Sequence, residues 1–133
     1  MSGAGAPRDG GSAAVDFVLV GVLVTFLFLA VLQVGIDFYV RDVLEACAAD
    51  GARYAANADV ADPAAGAEQA NEEITRALGA AYATAYAPAA QAQVDGAAVV
   101  TVRVDARLPL LAWFLPVGPA VHATGHALLE PRP

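Results

Sequence analysis

The chain has 133 residues, a formal net charge of −7 at pH 7, no lysine, and seven arginines scattered along its length. An acidic chain without a basic patch offers no phosphate-binding surface, which excludes a nucleic-acid partner. A single cysteine, Cys47, excludes an intrachain disulfide and a cysteine-based zinc site.

The first eleven residues, Met1 to Gly11, are mostly Gly, Ala, Ser and Pro and read as a disordered leader. From Phe17 to Ile36 there follow twenty residues without a charge, fifteen of them Leu, Ile, Val or Phe. As a helix this run spans about 30 Å, one hydrocarbon core. Those fifteen side chains favour insertion by about 5–9 kcal/mol at most. The alternative, a buried core helix, would need an apolar shell that the rest of the chain scarcely supplies. The run is also longer than the apolar core of a secretory signal, about 7–15 residues. It continues through Asp37-Phe38-Tyr39-Val40-Arg41 with no small-residue cleavage site. Arg8 precedes the run and Arg41 and Arg53 follow it, so the positive-inside rule gives no orientation.

Asp16 stands at the lip of this anchor, where a carboxylate costs up to about 2.5–3.5 kcal/mol if carried to the bilayer centre. Two readings are open. Asp16 is an acid in the first helical turn, favoured by the helix dipole, or it has a partner within an assembly.

Beyond the anchor, Ile36, Val40, Val43, Cys47, Gly51 and Tyr54 form a narrow apolar stripe at roughly 3.5-residue spacing. The stripe packs on the chain's own C-terminal part, on a neighbouring subunit, or on both. Cys47 lies on it, as a small buried apolar residue or as one half of an intermolecular disulfide. Arg41 with Glu45, Asp50 with Arg53, and Glu72 with Arg76 have the spacing of intrahelical ion pairs. Asn57 to Asp62 reads as a turn, and Asp62-Pro63 as an N-cap followed by proline at the first helical position. The second helix is expected to run to about Tyr86, ahead of Pro88, with Tyr82 and Tyr86 packed inward.

The period then changes from helical to alternating. Val94-Asp95-Gly96-Ala97 is a turn signal. Val100, Val102, Val104, Ala106 and Leu108 alternate with Thr101, Arg103, Asp105 and Arg107, the pattern of a half-buried strand. Pro109, Pro116 and Pro119 confine Leu110, Leu111, Trp113, Phe114 and Leu115 to a loop, which either covers a thin core or forms an exposed apolar patch. Val121 to Leu129 alternates again and is expected to return antiparallel. The fold class is therefore α+β, with a long N-terminal transmembrane and amphipathic helix, a second helix and a small antiparallel sheet. Three regions follow: leader 1–11, transmembrane helix 12–36, and an extracytoplasmic domain 37–133.

The two histidines, His122 and His126, stand about 13 Å apart if both lie on one strand, too far to share a metal. With no P-loop, nucleophile elbow or cysteine–histidine pair, neither an enzyme nor a cofactor or small-molecule substrate is expected.

The junction Gly11-Ser-Ala-Ala-Val-Asp16-Phe17 before an apolar helix resembles the processing site of type IV prepilins. Together with Phe38-Tyr39-Val40-Arg41, Gly51-Ala-Arg-Tyr-Ala-Ala56 and Ala123-Thr-Gly-His-Ala127 through Glu130, it resembles the TadE-like pseudopilins of the tight-adherence (Flp) pilus system. The resemblance implies cleavage between Gly11 and Ser12 by a prepilin peptidase, with Asp16 fifth in the mature chain and Phe17 behind it in the assembly helix. The family's usual acid there is Glu, one methylene longer. It further implies the membrane and other pilin-like subunits as partners, the N-terminus on the cytoplasmic side, and a role in pilus assembly, adhesion or a related secretion machine. The alternative is an unprocessed, membrane-tethered binding module.

Overall fold

The structure, a computed structural model, describes residues 10–57, 59–82, 84–88, 92–94, 96–108 and 120–129. Helix α1 runs from Gly10 to Ala56, 47 residues. It takes in the last two residues of the expected leader, Gly10 and Gly11, because extending a formed helix gains one hydrogen bond per residue fixed. The rest of that leader, 1–9, lies outside the described residues. The chain divides into two compact units between Gly35 and Ile36.

In the first unit no described residue packs around α1. From Phe17 to Val34 every large apolar side chain is exposed, between 41% and 80%. That overturns the core-helix alternative: a soluble domain buries such a helix, and this one is uncovered on all sides. It is long and apolar enough to cross a membrane.

In the second unit the remainder of α1 is buried along Val40, Leu44, Cys47, Ala48, Ala52 and Ala55. The expected stripe gave Val40, Cys47 and Gly51 correctly. It missed Leu44 and the alanines, and it placed Tyr54 inside where the ring is 43% exposed. A straight α-helix has 3.6 residues per turn, so its buried face drifts away from a strict heptad. The stripe packs on the chain's own sheet and second helix, as one of the two readings had it. The Asp50–Arg53 pair forms at 2.6 Å on the exposed side, whereas the expected Arg41–Glu45 pair does not form.

Helix α2 spans Pro63–Ala77. Ala61, at φ 45°, reverses the chain before it. The Asp62 carboxylate then accepts from the Ala64 amide at 2.9 Å, a cap worth about 1 kcal/mol. Glu72 and Arg76 pair at 3.5 Å, both exposed. The helix stops well short of Tyr86. Gly79 takes φ 104° and its amide bonds back to the Thr75 carbonyl at 3.1 Å, a left-handed stop that glycine adopts without a Cβ clash. A 3-10 turn, Ala80–Tyr82, and a short strand β1, Ala85–Tyr86, replace the expected last turns. Tyr82 and Tyr86 therefore share no helix face. Tyr82 packs against the core, whereas Tyr86 is 41% exposed.

Three more strands complete the sheet: β2 Ala92–Val94, β3 Ala97–Arg107 and β4 Ala120–Leu128. β3 is central. β4 pairs antiparallel with it from Val99↔Leu128 to Arg107↔Ala120. On its other edge β1 pairs near Val104 and β2 near Ala98, both antiparallel. The expected turn between β2 and β3 holds, with Gly96 at φ 81°; Asp95 itself lies outside the described residues. Val100, Val102, Val104, Ala106 and Leu108 are buried, as the alternation requires, and Val121 and Ala123 meet them from β4. Thr101, expected on the wet face, is also buried. The apolar loop with Trp113 lies outside the described residues.

Because the core is rich in alanine, backbones approach closely. A Cβ on Gly51 would meet the Gly66 carbonyl oxygen and, at 2.9 Å, the Ala70 methyl. A Cβ on Gly125 of β4 would meet the backbone of Ala48 and Ala49 on α1. Asn71 of α2 closes the outer edge of β1: its side-chain oxygen accepts from the Ala85 amide at 2.7 Å and its NH2 donates to the Ala85 carbonyl at 2.9 Å. Asn71→Ala is expected to destabilise this edge by about 1–3 kcal/mol, since both backbone groups lose their partner. Hydrogen exchange reads it directly: the Ala85 amide should lose protection while the β3 amides opposite β4 keep theirs. Unchanged exchange at Ala85 would contradict the clamp.

Candidate assembly site

Gly11, Ser12, Asp16 and Phe17 all lie in the first two turns of α1 and all are exposed. Among the described residues nothing stands within 4 Å of a Cβ built on Gly11, and both Gly11 and Ser12 are exposed. Gly10 and Gly11 each weaken a helix by about 1 kcal/mol relative to alanine. This end of α1 therefore unwinds more readily than the apolar turns that follow. Ser12 and Asp16 are four residues apart, which puts them on one face, one turn from each other.

The expectation that Asp16 occupies the first turn is overturned. Helix α1 begins at Gly10 and has no acid in its first turn; Asp16 is one turn further in. Dipole stabilisation falls off within the first turn, so the dipole reading loses most of its force.

Further along, Gly21 opens a shallow groove lined by Val18, Gly21, Val22, Thr25, Phe26 and Leu29. The Thr25 hydroxyl donates to the Gly21 carbonyl at 2.8 Å, which satisfies it within the helix and leaves the groove apolar. Small residues four apart are what allow membrane helices to approach closely. Phe38 and Tyr39, just after the charge-free run, are exposed, where aromatic residues favour the membrane–water boundary.

In the second unit, the thiol of Cys47 is buried and free. Burial first, then the negative charges of Glu73 and Asp50, push it above its ordinary value, so it is a poor nucleophile. The histidines do not meet each other. His122 Nδ1 lies 2.6 Å from Asp105 Oδ1 and His126 Nδ1 lies 3.2 Å from the Thr101 hydroxyl. Each partner is the residue opposite in the β3–β4 register. Sequence reasoning missed both pairs, because they depend on which residues of two separate strands stand opposite each other. No group of three or more potential metal ligands occurs among the described residues.

Residues 11–53 match the family model described as TadE-like protein. The chain is TadE-like over that segment. The match begins at Gly11 and runs through the anchor into the buried part of α1. No curated protein and no solved structure matches the chain.

Proposed function

We propose that this TadE-like chain is a minor, pilin-like subunit for assembly of a tight-adherence pilus or a related secretion machine. A prepilin peptidase cuts it between Gly11 and Ser12, and its role is structural, without catalysis or a small-molecule substrate. The N-terminus faces the cytoplasm, and the unit from Ile36 onward lies outside the membrane, among other pilin-like subunits.

The observation that carries this reading is the start of α1. A glycine-weakened bond between exposed residues lies one turn before a carboxylate that the helix dipole does not account for, at the mouth of an uncovered apolar helix. Cleavage there creates an amine at Ser12. When anchors bundle, that amine and a neighbour's Asp16 neutralise one another where either alone would be costly.

The unprocessed tethered module is the competing reading, and N-terminal sequencing separates the two. The full chain, produced with its native prepilin peptidase and recovered from the membrane fraction, is expected to begin at Ser12. Recovery only of chains beginning at Met1 would defeat the pilin reading.

A further inference from the structure

Both helices of the second unit cover one face of the sheet, through Leu44, Ile74, Val104 and Val121 among others. The opposite face is open around Arg103, Arg107, His122 and Thr124, all exposed. Charge is divided sharply between the two sides. Every carboxylate among the described residues of this unit, Asp105 excepted, lies on α1, on α2 or in the turn between them. Asp105 is engaged by His122. On the helical side Arg53 and Arg76 are each paired with a neighbouring acid. On the sheet side Arg103 and Arg107 form no ion pair with any described residue. Two shallow depressions sit there, one lined by Tyr86, Arg103, Asp105, His122 and Thr124, the other by Thr84, Asp105, Arg107 and His122. Of the three described arginines in this unit without an ion pair to a described residue, two thus stand together on this exposed sheet face, and the third, Arg41, lies on α1.

We propose that this face docks the acidic outer surface of α2, Glu68 and Glu72, from a second copy of the chain. The sheet of one copy meets the helices of the next. The occupant follows from charge complementarity: the surface offering the matching charge in a compact, exposed array is the chain's own helical layer, on the reverse of the same unit. Such a contact is heterologous. Each copy uses one surface to receive and the other to give, so the association propagates instead of stopping at a pair. It goes beyond the reading of the anchor, because it needs neither cleavage after Gly11 nor contact between anchors.

The test uses the full-length chain in detergent micelles, with self-association followed by sedimentation at low and high salt. The wild type is expected to associate at low salt and to weaken markedly at about 1 M salt, where the Debye length is about 3 Å. Reversing the sheet charges (Arg103→Glu with Arg107→Glu) is expected to weaken low-salt association about tenfold or more, and so is reversing the helix charges (Glu68→Arg with Glu72→Arg). Mixing the two variants is expected to restore it, because each then supplies the complement of the other. All four positions are exposed, so the variants keep the fold, which circular dichroism confirms. Association carried by the anchor alone would be insensitive to salt and to both variants. That result overturns the proposal, as does a wild type that stays monomeric at low salt or a mixture that fails to recover.

Discussion

Gly125→Val is expected to unfold the second unit. Gly125 is buried in β4 at the point where α1 crosses the sheet. A Cβ there would meet the carbonyl group of Ala48 and, at 2.5 Å, the amide nitrogen of Ala49. These are backbone atoms of a helix that is itself held by Leu44 and Ala52, so no rotamer change relieves the clash. Overpacking a core costs about 1–3 kcal/mol, and more when the obstacle cannot move. A unit of this size has only a few kcal/mol in hand, and the largest fully buried side chains among its described residues are Leu44, Ile74, Val102 and Val104. Hydrogen exchange on the full-length chain in detergent should show the β3 amides losing protection, while the anchor amides, which no neighbour supports, stay as they were. Gly35→Ala is the control: its Cβ meets nothing within 4 Å, and β3 should be unaffected. Full protection of β3 in Gly125→Val would show that α1 does not lie on β4 as described.

That close approach explains what could be read from the sequence and what could not. The anchor was legible because a twenty-residue run without charge has almost no other use. The β3 and β4 strands were legible because valine and alanine alternate there with polar residues, and period two is a strong signal. The Asp62 cap was legible because it depends on two adjacent residues. The stop at Gly79 was not. The segment around it is full of alanine, whose helix propensity argues for continuing, and only the tertiary pairing of Ala85 with Asn71 and of Tyr86 with Arg103 reveals that the chain has turned into a strand. The buried face of α1 was half legible for a related reason. Alanine carries little weight in an apolar pattern, yet Ala48, Ala52 and Ala55 are the residues that touch the sheet and α2, because Gly51, Gly66 and Gly125 bring the backbones together. At the candidate site, Gly11, Ser12 and Asp16 were readable as a linear junction. The start of α1 at Gly10 was not, and that start moves Asp16 out of the first turn.

The position of Asp16 gives the second large effect. Asp16→Asn is expected to leave cleavage after Gly11 intact and to abolish entry of the mature subunit into assemblies. Cleavage acts at Gly11–Ser12, five residues upstream, and asparagine at position 16 changes neither the glycine pair nor the exposure of the bond. Assembly differs because it brings the new Ser12 amine into an apolar bundle. With Asp16 the amine meets a carboxylate; with asparagine it stays charged and uncompensated. Breaking such a pair by removing one partner costs about 3–5 kcal/mol, enough to reduce incorporation about a hundredfold or more. Asp16→Glu keeps the charge and adds one methylene of reach, so it should retain incorporation. The measurement compares two quantities from the same cells, the fraction of subunit beginning at Ser12 and the fraction recovered with assembled pilin-like subunits. Loss of the second with preservation of the first assigns Asp16 to assembly. If Asp16→Asn incorporates as well as the wild type, the carboxylate has no partner in the bundle, and the anchor is a tether whose acid merely marks the edge of the bilayer.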